Sequence, residues 1–531
     1  MDTLDQMLQH RGRKQLYTDV PEVTVDNIVD ILSKVTPYFQ KNATDCQFLI
    51  NFESGIQPLK RKKPKSYRPD IDFEIVDNVA NEVVSFNLGF KWGYPMSLVQ
   101  RGNQNDTEAI SLLNEMYYQQ GIHAKTQQLG RFTEVTGIGY TYVDINDDYE
   151  DGESLFTVNV LDPRTTFIVR SSYYVDRRPM LAVTFREDEV GNIHYTCFSK
   201  ERRFEIINGY KIVEGIKSSE RVEWKEDKYN GSKNPLGMIP IVEWFLSYDR
   251  QGCFERQIES MNNLNLLISD LANDVDQNTQ SVWHTNDVDF PTEEVTDSDG
   301  NVSEVERKPQ SGEWIQTYTS PDGKTPFIKP LTLDYDYDGI LLNYMTQRTL
   351  ILQKCHVPQR NDNSGGSTGV AMDAASGWAD AEAVAQAQQN ILETCKLEEI
   401  RLVLKAIAIN PKTPSDCPLL GLKTMNIKPM IQRNKNYELA IKSTALATLI
   451  NVGVYGKNAF ETVNMFPDVN QVWDNSKELV EKHQNKIFGE EKEEKTEEVT
   501  YTSDNPIHQI ENSPNIDGMS KETNNEPSRN G

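Results

Sequence analysis

Between Cys253 and Asn278 the chain reads CFERQIESMNNLNLLISDLANDVDQN. Apolar residues recur there every three or four positions, from Phe254 to Val275, and this spacing predicts one long amphipathic helix. At ~1.5 Å per residue, such a helix would span roughly 39 Å. The opposite face is polar and consists of Glu255, Glu259, Asn262, Asn263, Asn273 and Asp274.

The segments around this helix have a distinctive order. A strand-like run, Met238–Phe245, precedes it, and a turn-rich β insert, Ser281–Leu333, follows it. A second helix is predicted over Asp338–Cys355, then a Gly/Ser/Asn loop over His356–Gly369, and a third helix from Val370. This order predicts a rod with a β cap at one end and a polar loop at the other.

The rest of the chain mixes helical and strand patterns. Helical spacing begins at Thr24, with a kink or interruption expected at Pro37, and continues in separate helices to Gly137. Short β-branched or aromatic runs separated by turns fill Tyr140–Trp244, so the fold class is α+β. The segment after Gly489 carries 11 acidic and 4 basic residues, which predicts disorder.

Composition excludes several classes of protein. The formal charge of −25, from 80 acidic and 55 basic residues, argues against a protein that coats nucleic acid with a basic face. The six cysteines form no CxxC pair, which favours free thiols. No apolar run approaches the ~20 residues of a membrane span, and no secretory signal is visible.

Two stretches match a catalytic or metal-binding motif, but the residues around them do not fit that function. Gly365–Gly369 matches G-x-S-x-G, but polar loop residues precede it where a nucleophile elbow needs a buried strand. Asp334–Gly339 resembles the start of a calcium loop, but Met345 occupies the position of the bidentate glutamate, so a helix cap is preferred. The Asp270, Asp274 and Asp276 carboxylates and the basic run Lys60–Lys65 are interpreted as solvated surface.

Four stretches in order resemble the portal proteins of tailed bacteriophages. Phe48–Gly55 with Asn78–Pro95 looks like the family's N-terminal helix pair, and Asn234–Pro240 running into the long helix looks like the start of its stem. Asn361–Met372 looks like its tunnel loop and spine helix, and Val452–Lys482 looks like its crown. The likeness covers about residues 24–488.

The resemblance implies an α+β, multidomain architecture with a wing, a two-helix stem, a β-rich clip and a helical crown, assembling into a ring. The boundaries it implies are a flexible N-terminus (1–23), wing (24–252), stem helix 1 (253–280), clip (281–337), stem helix 2 (338–355), tunnel loop (356–369), spine helix (370–410), wing strand region (411–436), crown (437–488) and acidic tail (489–531).

By the same resemblance, twelve copies form the channel for genome packaging and ejection at one capsid vertex, after assembly in the host cytoplasm. Expected partners are double-stranded DNA, the terminase large subunit, the major capsid and scaffolding proteins, and a head-completion or tail adaptor. No membrane, cofactor or metal is expected. The chain is expected not to be an enzyme, because the packaging ATPase belongs to the terminase.

Three sets of residues are the predicted functional sites. The tunnel loop would touch DNA through Arg360, Asn361, Asp362, Asn363, Ser364 and Ser367. The stem would face the channel with Glu255, Glu259 and Asp274, and the clip would dock the motor through Trp314, Ile315 and Tyr318. Two alternatives remain open: a nucleic-acid-processing enzyme, and a structural scaffold without DNA passage.

Overall fold

A computed structural model describes most of the chain. The described residues are 11–59, 71–101, 106–150, 152–173, 175, 177–208, 212–213, 216–217, 224–226, 232–279, 283–286, 288–289, 292–296, 302–307, 316–317, 326–330, 336–359, 377–433, 438–463, 465–466 and 469–489. The predicted acidic tail after Gly489 lies outside them.

Ten α-helices lie in the described part of the chain. They are α1 (Ile28–Glu53), α2 (Val79–Lys91), α3 (Thr107–Gln119), α4 (Ile122–Thr136), α5 (Ile258–Thr279), α6 (Tyr337–Lys354), α7 (Trp378–Ile409), α8 (Glu438–Asn451), α9 (Gly456–Val463) and α10 (Val469–Gly489). Short 3₁₀ turns cover Glu255–Gln257, Pro418–Gly421 and Thr424–Asn426. The interruption expected at Pro37 is absent, because α1 continues through it for 26 residues.

The described strands form two larger sheets and several two-stranded pairs. They are β1 (Leu16–Thr18), β2 (Ser97–Gln100), β3 (Ile138–Ile145), β4 (Phe156–Leu161), β5 (Thr166–Ser171), β6 (Pro179–Glu187), β7 (Ile193–Phe198), β8 (Arg202–Asn208), β9 (Ile212–Val213), β10 (Ile216–Lys217), β11 (Trp224–Glu226), β12 (Ser232–Lys233), β13 (Ile241–Phe245), β14 (Trp283–Asn286), β15 (Val288–Asp289), β16 (Thr292–Thr296), β17 (Val302–Glu306), β18 (Gln316–Thr317), β19 (Phe327–Pro330) and β20 (Ile427–Met430).

The larger sheet has seven strands in the order β1-β5-β6-β7-β8-β11, with β12 also paired to β8. Its only parallel pair among the described strands is β1 with β5, which sets Leu16 opposite Val169. The prediction that residues 1–23 are loosely held is therefore wrong for the part of that segment that forms β1. The polar composition of the segment concealed this strand.

The hydrophobic cores join these layers. The first half of α1 packs on the seven-stranded sheet, where the Phe39 and Phe167 rings stack 4.4 Å apart. The three-stranded sheet β13-β3-β4 packs against α7, with Trp244 in the shared core. Helices and antiparallel strands thus form common cores, which confirms the mixed helix and strand class.

The predicted long helix is present as the 3₁₀ turn Glu255–Gln257 followed by α5. Together α5 and α6 form the helix pair, and its buried end packs Met261 and Leu264 of α5 with Ile351 and Leu352 of α6. The predicted apolar stripe is buried only over its first half, because Val275 near the far end is 47% exposed.

The insert and the C-terminal region match the predicted element types. The described residues between α5 and α6 form antiparallel pairs: β14 with β19, β15 with β18, and β16 with β17. Helices α8, α9 and α10 share a small core around Phe460 and Trp473. The Asp334–Gly339 prediction of a helix cap is also confirmed, since Asp336 Oδ1 accepts from Gly339 N–H at 2.9 Å.

Candidate functional surface on the helix pair

The structure describes only one of the three predicted site groups. The tunnel-loop residues Arg360, Asn361, Asp362, Asn363, Ser364 and Ser367 and the clip residues Trp314, Ile315 and Tyr318 all lie outside the described residues. Glu255, Glu259 and Asp274 at the helix pair are described. The geometry of the site is therefore that of the helix pair and the elements that hold it.

The expectation that Glu255 faces a channel is wrong. Its side chain is 0% exposed and forms an ion pair with Arg13, Oε1 to Nη2 2.8 Å. The same carboxylate accepts from the Gly12 N–H at 2.7 Å and from the Gly252 N–H at 3.0 Å. Glu255 therefore fastens the N-terminal segment to the start of the helix pair.

Two glycines make this fastening possible. Gly12 has φ +76°, and a Cβ there would lie 2.1 Å from the Asp249 carbonyl oxygen. A Cβ on Gly252 would lie 2.1 Å from the Val135 carbonyl oxygen. Both backbones approach so closely that a side chain would displace the N–H groups that Glu255 binds.

Glu259 and Asp274 remain on the accessible side of α5. Glu259 is exposed and Asp274 is half-buried. Fifteen residues of helix separate them by roughly 22 Å along the axis and about 60° around it. They therefore lie on neighbouring faces of one helix, and no described residue buries either of them fully.

A second polar edge of α5 is buried and holds an extended segment. Asn265, Ser269 and Asn273 are each 0% exposed and recur every four residues. Asn265 Oδ1 accepts from Asp77 N–H at 2.9 Å, Ser269 Oγ from Ile75 N–H at 2.9 Å, and Asn273 Oδ1 from Phe73 N–H at 2.7 Å. Every second amide of the extended chain thus binds every fourth residue of the helix, and we call this the amide ladder.

The ladder was missed in the sequence. The sequence places Asn273 on the polar face of the predicted helix, and the structure buries it under the backbone of residues 73–77. The usable signal was the four-residue spacing of three short polar side chains, which places them on one edge of a helix. Their partner lies about 200 positions away, and no local pattern identifies it.

Asp77 joins both members of the helix pair. Its amide binds Asn265 of α5, and its Oδ2 accepts from Tyr344 Oη at 2.6 Å and Arg348 Nε at 3.1 Å, both on α6. Arg348 also forms an ion pair with Glu82 of α2. Partial burial, with the hydrogen bond to the Asp77 carboxylate, raises the pKa of Tyr344 to about 12.

The end of α6 is a rigid point from which the predicted tunnel loop departs. His356 has φ +57°, Val357 N–H donates to Leu352 C=O at 2.9 Å, and His356 N–H donates to Gln353 C=O at 3.0 Å. This is a Schellman stop with histidine where glycine is usual. Val357 and Leu352 share one hydrophobic core, which fixes the direction of the departing chain.

Helix α7 is tied to the other elements by buried charges. Lys91 Nζ contacts Glu134 at 2.7 Å and donates to Gln388 of α7 at 2.8 Å. Further along α7, Lys396 forms an ion pair with Glu399 and lies 4.0 Å from the centroid of the Tyr117 ring. These partners hold α7 in fixed register against α2, α3 and α4.

Among the described residues no group of three or more His, Cys, Asp or Glu side chains could hold a metal ion. All six cysteines are unpaired, and burial raises the pKa of the Cys46 thiol to about 11 and those of Cys355 and Cys395 to about 12. No helix in the described ranges is long and apolar enough to cross a bilayer.

Comparison with known proteins places this chain among the phage portal proteins. The sequence profile of the phage portal proteins described as SPP1 Gp6-like matches residues 60–455, about three quarters of the chain. The chain therefore belongs to the SPP1 Gp6-like family of phage portal proteins. Members of this family are generally structural proteins rather than enzymes.

Solved structures that the chain matches include chains of gene transfer agent (GTA) particles. One, from the virion of a native GTA particle, is 12% identical, with a TM-score of 0.38, over 80% of this chain and 94% of that chain. Another, from the neck of an empty particle computed with C6 symmetry, is 11% identical, with a TM-score of 0.37, over 77% and 97%. A third, from the neck of a native particle computed with C12 symmetry, is 11% identical, with a TM-score of 0.36, over 73% and 90%. No curated protein sequence matches the chain.

Proposed function

We propose that this protein forms a ring of twelve copies at one vertex of a viral capsid. The ring is the channel for genome packaging and ejection, and it is the docking platform for the terminase large subunit and then for head-completion or tail proteins. Capsid and scaffolding proteins surround it, and it assembles in the host cytoplasm before it becomes part of the virion. The observation that carries this proposal is the portal-family match over residues 60–455.

The helix pair supports ring formation because it exposes apolar side chains away from its own core. On α6, Leu341 is 45% exposed, Leu342 69%, Met345 54% and Leu350 47%. Val275 of α5 is 47% exposed as well. A second copy of the chain is the occupant we assign to this surface, and a heterologous contact that repeats with closing rotation makes a ring.

In this arrangement α5 and α6 are the stem, the β14–β19 region is the clip, α7 is the spine and α8–α10 are the crown. Residues 24–252 and 411–436 form the wing. The clip residues Trp314, Ile315 and Tyr318 are the proposed contact for motor and adaptor, and the amide ladder sets the distance between wing and stem.

The charge of the chain suits passage of DNA without tight binding. Every Lys or Arg set against a phosphate releases counterions and adds affinity, and a ring multiplies each contact by the number of subunits. Glu259 and Asp274 are the acidic residues that we assign to the channel side of the stem. Glu255 does not belong to this group, because it is buried and forms an ion pair with Arg13.

The transient DNA contacts are assigned to the loop from Arg360 to Ser367. The test deletes Asn361–Gly366, and a matched control deletes six residues of the C-terminal segment, Lys521–Glu526. We expect the loop deletion to assemble into rings but to retain less full-length DNA, while the control packages normally. Normal packaging by the loop deletion would refute the assignment of the loop.

The two alternative functions make different observable predictions. A purified chain that stays monomeric and hydrolyses nucleic acid or ATP would identify a processing enzyme. A ring whose channel is too narrow for a duplex would identify a scaffold without DNA passage.

A further inference from the structure

A basic cavity lies at the turn between β7 and β8, outside the helix pair. It encloses about 610 Å³, and its described lining includes Lys200, Glu201, Arg202 and Lys233. We call it the basic groove. In a chain with 80 acidic and 55 basic residues, three cations against one carboxylate is a local reversal of charge.

Two of these cations face each other across paired strands. Arg202 of β8 is directly opposite Lys233 of β12 in the antiparallel register. Directly opposite side chains have Cβ atoms about 4.5–5.5 Å apart, and like charges there are destabilising. Within the described residues neither side chain, nor that of Lys200, forms an ion pair, so the described part of the lining carries a net positive charge.

The groove is fixed before any ligand arrives. Asn234 is 4% exposed, and its Nδ2 donates to Ser199 C=O at 2.8 Å and to Met238 C=O at 2.7 Å. Ser199 and Arg202 close the turn, with Ser199 N–H donating to Arg202 C=O at 2.8 Å. A rigid frame that holds three cations together reduces the ordering cost of binding an anion.

A second cavity of about 340 Å³ shares Lys200 and Glu201 with the groove. Its lining also includes Pro21, Val23, Pro179 and Met180, which are apolar, together with Glu22 and Arg178. The described lining of both cavities contains no aromatic side chain on which a base could stack. Adjacent cationic and apolar cavities fit an acidic peptide that also carries apolar side chains better than they fit nucleic acid.

We propose that the basic groove binds the acidic C-terminal segment of this chain, from Glu490 to Tyr501. That segment has six glutamates between Glu490 and Glu498, followed by Val499 and Tyr501. The glutamates pair with Lys200, Arg202 and Lys233, and the apolar residues enter the second cavity. At about 3.3 Å per extended residue, twelve residues span roughly 40 Å, enough to cover both cavities.

The test is zero-length cross-linking of the purified full chain with a carbodiimide, which joins a carboxylate to a lysine amine. We expect links from Lys200 or Lys233 to glutamates within Glu490–Glu498. The variant Arg202→Glu keeps both reactive lysines but repels the segment, and it should lower the yield about tenfold. The variant Lys428→Glu, an exposed reversal of charge on β20, should leave the yield unchanged.

A second measurement does not depend on those variants. Removal of the residues after Gly489 should raise the acetylation rates of Lys200 and Lys233 severalfold, since their cover is gone, while Lys428 is unchanged. Mixing isotopically light and heavy chains shows whether the segment comes from the same copy or from a neighbour, and either result supports the proposal.

Several results would overturn the proposal. One is that neither Lys200 nor Lys233 forms links to Glu490–Glu498. Another is that Arg202→Glu leaves the cross-linking yield unchanged. Links from the groove to Glu293 or Glu304 would assign it instead to the β16–β17 hairpin. Loss of the links on addition of a short DNA duplex would assign it to nucleic acid.

Discussion

Replacing Glu255 by Gln distinguishes a residue that faces the channel, as the sequence predicts, from a buried residue that stabilises the fold, as the structure shows. As a channel residue it would affect only DNA passage, whereas the structure makes it the buried partner of Arg13, with the side chains 0% and 1% exposed. Removing one partner of a buried ion pair costs about 3–5 kcal/mol, because the other charge stays buried without compensation. Glutamine keeps one acceptor oxygen, so about 3 kcal/mol is the expected loss.

The assay is scanning calorimetry of the purified protein. For a folding unit of 150–250 residues, about 3 kcal/mol corresponds to a fall in Tm of roughly 6–12 °C. Glu259→Gln is the matched control, because Glu259 is exposed four residues further along, and exposed substitutions change stability within about 0.5 kcal/mol. Equal melting of both variants and the wild type would refute the assignment of Glu255 to the fold.

Three further predictions concern the helix pair. Ser269→Ala removes the acceptor of the Ile75 amide and should speed hydrogen exchange of that amide about tenfold, equivalent to ~1.4 kcal/mol. The control Ser260→Ala, on the same helix, should leave this exchange rate unchanged. Unchanged exchange in Ser269→Ala would contradict the amide ladder. His356→Gly should leave the free energy of unfolding unchanged or raise it by up to about 1 kcal/mol, measured by denaturant unfolding. Glycine removes the steric strain of a side chain at a left-handed φ, but its unfolded state gains conformational entropy. A loss of stability above about 1 kcal/mol would show that the imidazole is needed. Tyr344→Phe should make stability fall less steeply as pH rises above 10. Folding raises the pKa of Tyr344 from 10.0 to about 12, so its contribution to stability is full below pH 10 and is lost as the pH rises to about 12. Melting curves of the variant that match the wild type throughout this pH window would contradict the prediction.

Much of the fold could be predicted because its signals are local. The predicted helix Asp338–Cys355 is present as Tyr337–Lys354, and the predicted strand Phe156–Leu161 is present with the same bounds. The helix cap at Asp336 followed from one carboxylate before a helix. In these cases the determining residues are neighbours in sequence, so spacing and capping rules suffice.

The errors share a different cause, which is contact between distant segments. In the sequence Glu255 looks like one more acid on the polar face of the helix, and its burial depends on Arg13, 242 residues earlier. Residues 11–18 look polar and loose, yet Asn42 Oδ1 accepts from the Lys14 N–H at 3.0 Å and its Nδ2 donates to the Lys14 C=O at 2.8 Å, as a neighbouring strand would. Polar side chains bury themselves when another backbone supplies the hydrogen bonds, and a periodicity rule cannot detect that.

The candidate site was predictable only in part. Two of the three acids assigned to the channel, Glu259 and Asp274, remain accessible. The exposed apolar surface of α6, which includes Leu342 and Met345, was not predicted. A helix that meets its own chain on one side and another copy on the other has apolar residues on both sides. Single-chain periodicity therefore cannot tell the internal stripe from the external one.

Electron microscopy of the purified full chain tests the central claim most directly. The account predicts top views of a closed ring with radial symmetry, twelve subunits and a central hole wide enough for a DNA duplex, with the helix pair forming its wall. A population of monomers, or a ring whose channel is too narrow for a duplex, would contradict it.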